Sequence, residues 1–126
     1  MSLHTIQKQF LLGELFSNDA LQLAKAIYNT YIKDDKNLDM EIEISKIETL
    51  LKLDHSKFSR QHIIYTFEEI NEPIGVRHFK YFAKEYPIRF LVFCTYEIVD
   101  DLIIIYLNEE FLYAEDKYMI DKFLTS

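Results

Sequence analysis

Between Glu41 and Leu107 the spacing of apolar residues changes twice, and few folds accommodate the order in which it does. Glu41-Ile-Glu-Ile44 alternates polar and apolar, the two-residue period of a half-buried strand. From Lys46 to Leu53 the period becomes helical, with Ile47, Leu50, Leu51 and Leu53 directed inward. Ser45 stands three residues before Glu48, the spacing of a capping box that opens a helix. Asp54-His-Ser56 reads as a turn. Phe58 to Glu72 reads as a second helix on the stripe Ile63, Phe67, Ile70, with Ile64 beside it, and Pro73 stops it. Beyond Pro73 the chain turns to β-branched and aromatic runs. Ile74–Phe82 is expected as a strand, Ala83–Pro87 as a turn and Ile88–Val99 as one long strand. Asp100-Asp101 then turns the chain into Leu102–Leu107, where Ile103, Ile104 and Ile105 in succession predict a strand covered on both faces.

The flanks read as helices. Ser17-Asn18-Asp19 can accept from orphan N–H groups at a helix start. Leu21, Ala24, Ile27, Tyr28, Tyr31 and Ile32 follow at three- and four-residue spacing, so a helix is expected over 19–33. Lys33 to Asn37 is a polar loop, too short for a domain linker. Asn108 is expected to cap a last helix, Glu109 to Leu124, with Phe111, Leu112, Ala114, Tyr118, Met119 and Phe123 at helical spacing. Met1–Phe16 carries Ile6, Phe10, Leu11, Leu12, Leu15 and Phe16, which permits an amphipathic helix; Gly13 weakens it by ~1 kcal/mol, and an extended apolar arm is the alternative.

Two short helices followed by a β-hairpin are the order of a winged helix. The expected fold is therefore α+β and winged helix-like: a helix–turn–helix over 45–72, a β-hairpin or three-stranded antiparallel sheet over 74–107, and flanking amino- and carboxy-terminal helices. At 126 residues, 49% apolar, the chain fits one globular domain, 1–126. A single cysteine, Cys94, excludes an internal disulfide; inside the apolar run Phe90–Cys94 it reads as a small buried hydrophobe. No basic leader with an apolar run opens the sequence, and no apolar stretch reaches the ~18 residues of a membrane span. A cytoplasmic protein without membrane contact is expected.

The net charge of −7 opposes tight, charge-driven binding to nucleic acid over the whole surface. The charge is uneven, however. Residues 100–126 hold two Lys against seven acids, whereas residues 73–99 hold Arg77, Lys80, Lys84 and Arg89 against Glu85 and Glu97. A basic hairpin on an acidic body can touch phosphates weakly and with strong salt dependence.

Two groups of residues are candidates for contact with double-stranded DNA. Lys57, Arg60, Gln61 and Tyr65 can occupy the outer face of the second motif helix and meet base edges; a solvated helix face has the same pattern. Arg77, Lys80, Lys84 and Arg89 interleave with Phe79, Tyr81, Phe82 and Tyr86, as in a wing on phosphate or minor groove; a half-buried strand pair with packed aromatics and solvated bases has that pattern too. The second helix also carries its charges against its dipole, with Lys57, Arg60 and His62 early and Glu68, Glu69 and Glu72 late. His4, His55, His62 and His78 lack metal-ligand spacing, and no cofactor or metal is expected. Asp34-Asp35, Asp100-Asp101 and Glu109-Glu110 fall in turns or at a helix start, where carboxylates have local reasons to be. With no Gly-rich phosphate loop and no nucleophile elbow, an enzyme is not expected.

At Phe67-Glu-Glu-Ile-Asn-Glu-Pro-Ile-Gly-Val76 the sequence resembles the amino-terminal winged-helix domain of replication initiator proteins of iteron-bearing plasmids. Ile70-Asn-Glu-Pro-Ile74 matches the helix-to-strand passage of that family. Arg89-Phe90 matches part of a following strand, and Ile105-Tyr-Leu-Asn108 with Phe111-Leu112 the last strand and helix start. Ile42-Glu-Ile-Ser45 and Ile47, Leu50 and Leu51 match the first strand and first motif helix. The resemblance covers roughly 16–112 and rests on apolar positions and one Asn-x-Pro turn. It implies origin-DNA binding, dimerisation and a role in replication initiation or copy number. The family carries a second winged helix, so the resemblance implies either one domain of a longer initiator or a shorter regulatory relative. The expected function is a DNA-associated winged-helix domain acting as a homodimer. The alternative is a regulatory protein–protein module that does not itself bind DNA.

Overall fold

The computed structural model describes residues 17–119 and Leu124. In order they form α1 (Asn18–Lys33), β1 (Asp39–Glu43), α2 (Ile44–Leu50), α3 (Lys57–Ile70), β2 (Ile74–Tyr81), β3 (Lys84–Leu91), β4 (Cys94–Val99), β5 (Leu102–Leu107) and α4 (Glu109–Tyr118). The fold is α+β, as expected. The strands make two separate antiparallel sheets, β1-β5-β4 and the β2-β3 hairpin. The expectation for Met1–Phe16 lies outside the described residues.

Both asparagine and serine caps read from the sequence form. Ser17 Oγ accepts from the Ala20 N–H at 3.1 Å, and Asn108 Oδ1 accepts from the Glu110 N–H at 3.1 Å. The capping box at Ser45 does not. α2 starts at Ile44, directly out of β1, and Ser45 is inside it. The Ile44 N–H donates to the Asp101 carbonyl at 2.8 Å, so a neighbouring turn satisfies the helix start. Glu48 is thereby released for the interior. α4 ends at Tyr118, with Met119 extended; residues 120–123 of the expected longer helix lie outside the described residues.

The expected strand Ile88–Val99 is two strands. The chain leaves the β2–β3 hairpin at Leu91 and enters the other sheet at Cys94. Two asparagines fix the crossing: Asn108 Nδ2 donates to the Val92 carbonyl at 2.9 Å, and Asn71 Oδ1 accepts from the Cys94 N–H at 2.8 Å. Apolar residues run through the break, because Phe93 is fully buried with its ring 5.3 Å from that of Phe111, so periodicity alone hides it. The expected turn Ala83–Pro87 is likewise shorter: Phe82-Ala83 turns the chain, Phe82 at φ 54°, and Lys84 to Pro87 already belong to β3.

The core lies between α1, α3 and one face of the three-stranded sheet. Register places Met40 opposite Ile105, Ile42 opposite Ile103 and Tyr96 opposite Ile105. Leu23 and Ile27 of α1 and Ile63, Phe67 and Ile70 of α3 are buried in the same cluster. The Phe67 and Tyr96 rings stack at 4.6 Å. Only one face of β5 is covered, contrary to the reading of its isoleucine run: Ile103 and Ile105 are buried, but Ile104 is exposed. The strands are antiparallel, an arrangement that leaves one sheet face to water.

Candidate functional site

The expected base-reading residues lie on the first turns of α3. Phe58, Gln61 and Tyr65 share its outer face, about 120–180° around the helix from buried Phe67. Phe58 is 69% exposed and Tyr65 70%. The Lys57 ammonium is 5.7 Å from the Phe58 ring centroid. Arg60 is engaged elsewhere: Nη1 donates to the Asp100 carbonyl at 3.0 Å and Nη2 to the Asp101 carboxylate at 3.2 Å. The β4–β5 turn therefore sits against the start of α3 and brings two carboxylates with it. Phe58 is not among the residues expected from the sequence, although its position off the Ile63, Phe67, Ile70 stripe marks it as outward.

A cleft of about 790 Å³ opens between α2, the start of α3 and that turn, with Glu48, His55, Lys57 and Arg60 on its walls. Glu48, only 7% exposed, receives the Ser59 hydroxyl and contacts His55 Nδ1 at 2.7 Å. The Ser59 bond, then His55, hold its carboxyl below the usual Glu range against the opposing effect of burial. Ser59 and His55 lie on either side of one carboxylate, so the cluster pins the turn between α2 and α3. Among the described residues, no three His, Cys, Asp or Glu side chains group closely enough to hold a metal ion.

The reversed charge order of α3 has tertiary causes. His62 Nε2 is 2.8 Å from the Asp19 carboxylate, and Glu69 accepts from the Ser17 N–H at 2.6 Å and the Ser17 hydroxyl at 3.0 Å. Glu68 accepts from the Tyr96 hydroxyl. Arg60, His62, Glu68 and Glu69 are each engaged by a group outside α3, against a dipole effect of only ~0.3–1 kcal/mol.

The four bases of 73–99 lie on the β2–β3 hairpin, which packs on α4. Arg89 Nε and Nη2 donate to the two Glu110 carboxylate oxygens at 3.0 and 3.3 Å, and its guanidinium lies 4.9 Å from the Tyr86 ring centroid. Lys80 pairs with Glu85 at 3.1 Å, both exposed. Lys84 is exposed beside the turn, and Arg77 is exposed opposite Ile88. Phe79 turns inward and is fully buried, with ring centroids 5.1 Å to Tyr118 and 6.2 Å to Tyr113, and Tyr81 and Tyr86 are half-buried, whereas Phe82 is exposed at the turn. Tyr118 Oη accepts from the Lys80 N–H at 3.0 Å. The interleaved pattern is thus three packed aromatics with Arg77, Lys80 and Lys84 exposed and Arg89 tied to α4.

The two groups do not form one surface. Lys57, Arg60 and Gln61 open α3, whereas the hairpin departs from its other end, about 20 Å along a 14-residue helix. The hairpin beside the start of α3 is β4–β5, with acidic Asp100 and Asp101 at its turn. Burial pushes the Cys94 thiol up to about 11, and no helix among the described residues is long and apolar enough to cross a membrane. Comparison with family models, curated proteins and solved structures finds no match to this chain.

Proposed function

We propose that this chain is a winged-helix-type, non-enzymatic interaction module whose α3 outer face binds a partner protein. The element order supports the topology: β1 precedes the α2–α3 pair, β4–β5 follows it, and β5 lies between β1 and β4. The β2–β3 hairpin is then an insertion after the second motif helix. The Arg60–Asp101 contact carries the choice of partner class. Phosphates alongside α3 would meet the carboxylates of the β4–β5 turn, and Arg60 would have to leave that turn to read a base. Phe58 and Tyr65 instead offer the exposed aromatic anchors on which protein interfaces concentrate their energy.

Outward Arg77, Lys80 and Lys84 on the basic hairpin favour a second reading, origin-type DNA binding as the plasmid-initiator resemblance implies. Titration of a labelled origin-like duplex at about 50 mM salt separates the two. The protein-binding reading expects no saturable binding. It also expects Phe58→Ala with Tyr65→Ala to abolish retention of a cellular partner while the fold is kept. Binding to the duplex, weakened for all sequences alike by Lys80→Ala with Lys84→Ala, would establish the DNA reading instead.

A further inference from the structure

The outer face of the three-stranded sheet is exposed and built in a regular grid. Its middle strand presents Leu102, Ile104 and Tyr106, with Tyr106 51% exposed. β1 sets Glu43, Glu41 and Asp39 opposite them in turn, and β4 sets Glu97 opposite Ile104. These four carboxylates carry no ion pair among the described residues. A short apolar column rimmed by acids calls for a partner with bases beside apolar groups.

The same chain presents such a surface. On the outer face of the β2–β3 hairpin, Gly75 leaves room for the Phe90 ring, which would stand 3.0 Å from a Cβ there. Phe90 is 58% exposed and Ile88 44%, with Arg77 directly across from Ile88 and the exposed Lys80 three residues on. Phe82 at the turn is 88% exposed. Among the described residues the Lys80 ammonium pairs with the exposed Glu85, a contact that solvent screens. We infer that the hairpin outer face of one copy docks on the acidic sheet face of a second copy of this chain. Arg77 and Lys80 then meet the β1 and β4 carboxylates, and Phe90 and Ile88 meet Ile104 and Tyr106. The inference is independent of what the α3 face binds.

The two surfaces differ, so the contact is head-to-tail and each bound copy presents a fresh site. The contact rests on exposed charge pairs around a few apolar side chains, so the association is salt-sensitive. Sedimentation velocity up to about 100 µM protein, at about 50 mM and about 500 mM salt, tests it. At low salt the average mass is expected to grow past two chains with concentration, and to fall at high salt. Arg77→Glu with Lys80→Glu, and separately Glu41→Lys with Glu43→Lys, are each expected to remain monomeric, folded by circular dichroism. Mixed in equal amounts, the two variants are expected to recover association, since each complements the other. A monomeric wild type, a dimer that does not grow, or variants that fail to recover on mixing would overturn the inference.

Discussion

Asn71 and Cys94, 23 residues apart, are joined twice: Asn71 Oδ1 accepts from the Cys94 N–H at 2.8 Å, and Asn71 Nδ2 reaches Cys94 Sγ at 3.4 Å. The same Nδ2 donates to the Phe67 carbonyl at 3.0 Å. One side chain thus ends α3, starts β4 and closes the loop from which the β2–β3 hairpin projects. Replacing it leaves a partly buried N–H and a helix carbonyl without those bonds. Asn71→Ala is expected to cost about 1–3 kcal/mol in urea unfolding. An unchanged midpoint would show that the hairpin base is held by its aromatics alone.

Glu48 gives the motif a pH dependence. Its folded carboxyl titrates below its unfolded value. The stability this supplies is therefore present above the unfolded Glu pKa, ~4.3, and is lost as pH falls through the lower folded value. Glu48→Gln is expected to lower the urea midpoint at neutral pH. The gap between wild type and variant should narrow below about pH 4. A gap independent of pH would mean that Glu48 contributes by packing and not by its charge.

Arg89 and Glu110 fasten the hairpin to α4 by a paired contact, with side chains 40% and 21% exposed. Glu110 raises the guanidinium pKa further, so Arg89 is charged at every pH of interest. Solvent screening limits the pair, and a double-mutant cycle on Arg89→Ala and Glu110→Ala is expected to give a coupling of roughly 0.5–1 kcal/mol. Arg89→Lys should recover little of it, because an ammonium cannot make two parallel bonds or stack on Tyr86. Full rescue by Lys would reduce the contact to simple charge attraction.

Local chemistry determined much of this protein from its sequence. Ser17 and Asn108 cap their helices because a side-chain oxygen beside orphan N–H groups needs no distant partner. α1 and α3 follow their apolar stripes to within a residue or two, since burying one face is the whole reason for the stripe. Tertiary structure decided whatever depended on which groups meet across the fold. Ser45 lost its cap to a carbonyl from the turn at Asp101, and the apolar run 88–99 was divided between two sheets by Asn71 and Asn108. Arg60 and Arg89 read as surface bases in the chain, yet each found its carboxylate about 20 or 40 positions away. A charge announces itself in the sequence, but its partner is chosen by packing.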